Sequence, residues 1–358
     1  MMGVLNHLST LLLLSLLPPA LSHVVKFSDV PECKEFFLEE TTPNLPGILV
    51  DGTVKDQNRY KQICQKFKYT KKNVVYEIYM FATLYDTTNR IPVFSAYTFT
   101  GNVVGSKRPK NQTWMIEPQL EDIDIKEMKT QDDDEVKELN NNKVLRVNHQ
   151  AADEDYKYNR LDMDRGHLFP CSYAPDDDAK RSTFTLTNAV PQERSFNGGS
   201  WRRMECKVRD ALELNCKKNN KIEAYVVTGA VPSFNNTLKE RVNIPDLMWT
   251  AYCCYNNNLK QWVAQAHWGE NQKEDKGKKL PSNTLVDLYN ILNQLYPGGD
   301  VQVFPDQCPT ADIPRALPLR DGDVYDHCVY DDDCVCSSVG VKGYYLPVVL
   351  VSVLVMMM

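Results

Sequence analysis

An α+β fold, a mixed antiparallel sheet with flanking helices, is predicted by three features of the chain. Strand-like runs come in pairs around short polar loops, two helical periodicities lie far apart, and strand and helix never alternate with the regularity of a parallel sheet. No internal repeat is visible.

The first paired run spans residues 79–97, rich in aromatic and β-branched side chains and broken by Asp86-Thr87-Thr88-Asn89-Arg90, which predicts a hairpin loop. Residues 121–155 contain Asp132-Asp133-Asp134-Glu135 and Asn140-Asn141-Asn142 among few apolar positions, which predicts a solvated acidic insertion without a functional role. Residues 184–190 read as a strand entering a turn. Trp201, Met204, Val208, Ala211 and Leu212 then recur at three- and four-residue spacing, the period of a helix with one buried face, ending near Cys216. Residues 222–228 predict a strand stopped by Gly229, and residues 249–255 and 262–267 flank Asn256-Asn257-Asn258 as a second hairpin. Ser282 or Asn283 is the candidate cap of a helix carrying Leu285, Leu288, Ile291, Leu292 and Leu295, which Pro297-Gly298-Gly299 ends.

The two ends differ from this body. Residues 1–22 lack Asp, Glu, Lys and Arg, and residues 11–17 form an apolar run before Pro18-Pro19 and the small-residue pattern Ala20-Leu21-Ser22, which predicts a signal peptide cleaved near His23. Eleven cysteines fit an oxidising compartment, and none has the paired spacing of a zinc knuckle, so disulfides are expected. Cys33 and Cys64 are the candidate pair, and a bridge over that loop constrains the unfolded chain by about 3–4 kcal/mol. Asn111 and Asn235 begin sequons for glycosylation. Residues 306–345 form a cysteine-containing tail, and the apolar residues 346–358 that follow Ser337, Ser338 and Lys342-Gly343 resemble a lipid-anchor signal. The expected location is secreted or extracellular, either free or attached to a membrane through that tail.

Net charge is −6, so a site for a polyanion has to be a local basic patch on an acidic body. Other chemistries are disfavoured by pattern. Gly198-Gly199-Ser200 lacks the glycine that a nucleophile elbow needs after its serine. Asp321-Gly322-Asp323 lacks the glycine and closing glutamate of a calcium loop, and no phosphate-cradling glycine loop is present. What remains is Asp162-Met163-Asp164-Arg165-Gly166-His167, which supplies a base, an anion binder with Asp162 or Asp164 as candidate ion partner, and a glycine that allows close backbone approach. Thr187-Asn188, Pro191-Gln192, Asn197, Trp201 and Glu205 follow at ordered spacing.

Together these motifs, spread from Asp164 to Glu205, resemble the signature of the DNA/RNA non-specific endonuclease family. The resemblance implies a ββα-metal nuclease fold over residues 23–305, DNA and RNA as substrates, Mg²⁺ or a similar divalent cation as cofactor, and products with 5′-phosphate ends. It implies His167 as general base, neutral, with its second nitrogen held by a carbonyl or carboxylate. By the same resemblance Asn197 is the one protein ligand of the metal, Glu205 binds the metal's waters from two helical turns on, Asn188 orders the site, and Arg165 stabilises transition-state charge. Arg108, in Lys107-Arg108-Pro109-Lys110, stands for the family's upstream arginine, and Arg202 and Arg203, with Lys207 and Arg209, are candidates for contacting the phosphate backbone. The expected activity is therefore hydrolysis of phosphodiester bonds with low sequence specificity. The alternative is a catalytically weak or inactive extracellular nucleic-acid-binding or adhesion protein on the same fold.

Overall fold

The computed structural model describes residues 23–101, 108–109 and 112–310. The predicted leader at 1–22, the sequon asparagine Asn111, the tail beyond residue 310 and the apolar residues 346–358 lie outside the described residues.

A six-stranded antiparallel sheet forms the centre. In chain order its strands are β1 (Tyr60–Lys71), β2 (Val74–Asp86), β3 (Ile91–Phe99), β6 (Ala224–Val231), β7 (Leu247–Asn256) and β8 (Gln261–Glu270), and their order across the sheet is β8-β7-β6-β3-β2-β1. Two further strands, β4 (Met163–His167) and β5 (Ala189–Glu193), pair separately as an antiparallel ribbon. The helices include α1 (Asp134–Leu139), α2 (Asp153–Tyr156), α3 (Asp177–Ser182), α4 (Arg202–Asn215) and α5 (Leu285–Leu295). The α+β expectation holds.

Side chains alternate between sheet faces at every step along a strand, and here both faces are covered except toward the β1–β2 turn, where residues 74–78 are exposed. Phe81, Tyr97, Val226 and Cys254 join one core with Trp201 and with Met204, Val208 and Leu212 of α4. Their strand neighbours Ala82, Ala96, Val227 and Cys253 join a second core with Phe27, Val30, Leu288 and Leu292. Two buried faces explain why these strands read as nearly continuous apolar runs.

The paired cysteines follow the same rule. Cys253 bonds Cys308 within the second core, and its neighbour Cys254 bonds Cys216 within the first. The expected Cys33–Cys64 bridge is present and ties the amino-terminal segment to β1.

Several boundaries move. Residues 121–155 are not merely a solvated insertion, because Ile125, Val136, Leu145, Val147 and Ala151 are buried in the first core. These anchors are spaced too irregularly to give a period, which hid them. The strand predicted from Phe184 begins at Ala189, because residues 186–188 make a short 3₁₀ turn first. Gly229 does not stop β6, which runs on to Val231. A Cβ there would collide with the indole of Trp249 opposite and with the Val93 carbonyl, so the glycine makes room for the ring. Thr284, not Ser282 or Asn283, caps α5, and it shares a capping box with Asp287.

Candidate active site

The ribbon of β4 and β5 runs straight into a helix. Their register places Asp164 opposite Gln192 and His167 opposite Ala189. Glu193 closes the ribbon and accepts a hydrogen bond from Phe196 N at 2.9 Å, capping a short turn that leads through Asn197 to α4. Gly166 is required where it stands, because the Gln192 side chain lies across it where a Cβ would sit. The two strands and following helix therefore place Asp164, His167 and Asn197 in one compact unit.

Arg165 and His167 are two residues apart on β4 and share one face, where both meet Trp114. The imidazole lies 4.9 Å from the Trp114 ring and 4.8 Å from Phe184, edge to face with the latter. It is 6 % exposed, and burial together with the nearby Arg108 guanidinium lowers its pKa to about 3. The imidazole is thus neutral at physiological pH. Its Nε2 is buried without a hydrogen-bond partner, and no carbonyl or carboxylate among the described residues holds the other nitrogen. The orienting bond expected there is replaced by the aromatic walls.

Arg108 lies near the imidazole. Its guanidinium lies 5.2 Å over Phe184, beside His167, and burial lowers its pKa while Asp164 acts in the opposite sense. Arg165 pairs neither with Asp162 nor with Asp164. It reaches instead to the carboxylate and carbonyl of Asp153 and lies over Tyr156, while Asp162 and Asp164 hold Arg194 at 3.2 and 3.3 Å. Asp153 belongs to the acidic segment, which therefore contributes to the site.

Asn188 is fully buried with its amide saturated. Oδ1 accepts from Ser95 Oγ and Phe169 N, both at 2.9 Å, and Nδ2 donates to the Phe169 and Thr183 carbonyls. It holds the chain just beyond His167 and offers no group to a substrate. Glu205 accepts from Trp201 Nε1 at 3.0 Å, and its carbonyl accepts from the Tyr173 hydroxyl. Its position cannot be counted from Asn197 as on an ideal helix, since the wide turn Asn197–Trp201 contains a non-helical Gly199. Arg203 is engaged by the Lys278 carbonyl at 2.6 Å and by Glu274, and Arg202 is half-buried. Asn235 is exposed, as a glycosylation site has to be.

Could these residues hold a cation? Asn197 donates its amide hydrogen to Asp164 Oδ2 at 3.1 Å, which leaves its carbonyl oxygen with no bond to any described residue. No cluster of three or more His, Cys, Asp or Glu forms a cage among the described residues. One oriented neutral oxygen suits a largely hydrated Mg²⁺, which parts with its waters reluctantly. Sequence reasoning missed Trp114, Phe184, Asp153 and the role of Asp164, and only Asp164 had a signal, its place within the motif.

Residues 61–298 match the DNA/RNA non-specific endonuclease family. The chain is 31 % identical over 225 residues to the human endonuclease domain-containing 1 protein and 30 % identical over 227 residues to that of Mus musculus, each match covering 62 % of this chain. The matched stretches span 39 % and 38 % of those two relatives' own lengths. A solved structure, the EndoG/EndoGI complex described for its mechanism of EndoG inhibition, aligns with a TM-score of 0.43 at 16 % identity, covering 63 % of this chain and 83 % of that one. With more than half of its length matched to the family, from the hairpin of the sheet to the end of α5, the chain belongs to the DNA/RNA non-specific endonucleases.

Proposed function

We propose that this protein is a secreted, Mg²⁺-dependent endonuclease that hydrolyses phosphodiester bonds in DNA and RNA with little sequence preference. The observation that carries the reading is the neutral, unpartnered Nε2 of His167, enclosed beside Arg108 in the same unit as Asn197. A phosphodiester beside Arg108 is held by charge-assisted contacts, and His167 accepts a proton from the attacking water. The negative charge of that phosphate offsets Arg108 and raises the proton affinity of the imidazole, which in the free protein is low for a base. Asn197, oriented by Asp164, and Glu205 are the residues to hold a hydrated cation. When bound, the cation supplies charge stabilisation for the phosphoryl and leaving oxygens. Arg165, fixed by Asp153, adds positive charge on the same face. The disulfides favour secretion.

A second reading, a binding protein without turnover, is favoured by the close enclosure of His167. Digestion of plasmid DNA and of RNA, with Mg²⁺ and with chelator, separates the two. Metal-dependent cleavage of both supports the enzyme, whereas binding without cleavage at any divalent-ion concentration overturns it.

A further inference from the structure

The loop of residues 157–162 joins α2 to β4 and so enters the catalytic strand directly. Tyr158 in this loop is 97 % exposed, and it is the one aromatic residue among the described residues with a positive φ, at 53°. A bulky side chain seldom adopts that conformation. The loop is nevertheless firmly tied. The Asn159 side chain donates to the Tyr156 and Met163 carbonyls at 2.8 and 2.9 Å and accepts from Met163 N at 3.0 Å. Lys239 Nζ donates to the Lys157 carbonyl at 2.7 Å, and Arg194 N donates to the Asp162 carbonyl at 3.1 Å. Rigid backbone thus holds a tyrosine ring in water. Next but one to it stands Arg160, exposed and without an ion pair to any described residue. Leu161 is 50 % exposed.

We infer that Tyr158 and Arg160 form a base-stacking subsite that favours single-stranded over duplex nucleic acid. The inference rests on the nuclease reading for its substrate class. Asn159, the neighbour of Tyr158, is bonded to Met163, and the four steps from Met163 to His167 along β4 span about 13 Å, a distance that a few linked nucleotides cover. Tyr158 therefore lies within reach of a base close to the phosphate beside His167. A duplex keeps its bases stacked on one another, so a protruding ring finds no open base face there. A single strand offers one at every nucleotide, and the Arg160 guanidinium meets the adjoining phosphate.

The test uses the full-length chain carrying His167→Ala, so that substrates stay intact, with fluorescein-labelled 20-nucleotide single-stranded and duplex DNA in anisotropy titrations. Adding Tyr158→Ala is expected to weaken single-strand binding by about five- to 150-fold and to leave duplex binding within about twofold, while Tyr158→Phe and Tyr158→Trp restore it. Arg160→Ala is expected to lower the salt slope on single strands by about 0.7. Equal weakening on both forms, or none on either, overturns the subsite. Cleavage by the unaltered protein is measured alongside, so that retained nuclease activity with an unaffected Tyr158→Ala variant sinks this inference alone. Failure of the parent to bind either form sinks both. A Tyr158→Ala effect on capture of a protein, with none on nucleic acid, assigns the loop to protein docking and overturns the proposal.

Discussion

Asp164 accepts the side-chain amide hydrogen of Asn197 across 3.1 Å, and this one bond decides which end of the amide is left for a ligand. Asp164→Ala frees the amide to flip. It is expected to raise the Mg²⁺ concentration for half-maximal cleavage by about 10- to 100-fold, the usual cost of losing a group that orients a metal ligand. Asn197→Ala removes the oxygen itself and is expected to abolish metal-dependent cleavage, with poor rescue by excess Mg²⁺. Magnesium titrations of both variants check the order, and an Asp164→Ala curve matching the parent would show that the bond has no such role.

His167→Ala is expected to lower the cleavage rate by about two to four orders of magnitude while nucleic-acid affinity stays close to the parent value. Single-turnover cleavage and equilibrium binding separate the two effects. Retained activity refutes the assignment of the base.

Acid stability follows from two buried rings. His167 has its pKa lowered to about 3, and His267 has its own lowered to about 4 by burial, with Lys207 adding to the effect and the bond to the Pro281 carbonyl opposing it. In the unfolded chain both bind a proton near the ordinary value of about 6.5. Between the folded and unfolded values the unfolded state holds more protons, so stability is complete above about pH 6.5 and declines as pH falls through that window. Denaturant titrations from pH 7 to 4 are expected to show this decline. His267→Gln should flatten it without altering catalysis, and an unchanged slope would mean the ring is not buried neutral in solution.

Glu117 is wholly buried and bonded to the equally buried His23, while its other oxygen accepts from Thr185 and Thr187 at 3.4 and 3.2 Å. Removing one partner leaves a buried polar group stranded, and His23→Ala or Glu117→Ala is expected to cost about 3–5 kcal/mol. The double variant should cost clearly less than the two together. Additive losses in denaturant midpoints would show that the pair is not coupled.

The elements that sequence made legible are those with a local pattern. The hairpin around Asp86–Arg90 was readable from aromatic and β-branched runs on either side of a polar loop, and the helix carrying Met204 and Val208 from apolar side chains that recur at three and four residues. Asp153 was not, since its tie to Arg165 joins two segments with no shared pattern, inside a stretch whose charge suggested solvent. The walls around His167 were hidden for the same reason, as Trp114 and Phe184 meet the ring only through the tertiary fold. Motif residues predict what a site contains, whereas its pKa values come from neighbours that the chain brings in from elsewhere.

The adjacent Cys253 and Cys254 tie the alignment of β7 to the covalent pattern of the chain. Because neighbouring side chains of β7 point to opposite faces, a slip of one residue would present each thiol to the wrong partner, Cys254 to Cys308 and Cys253 to Cys216. Both native bridges therefore require the native register, and once formed they lock β7 in that alignment on both faces at once.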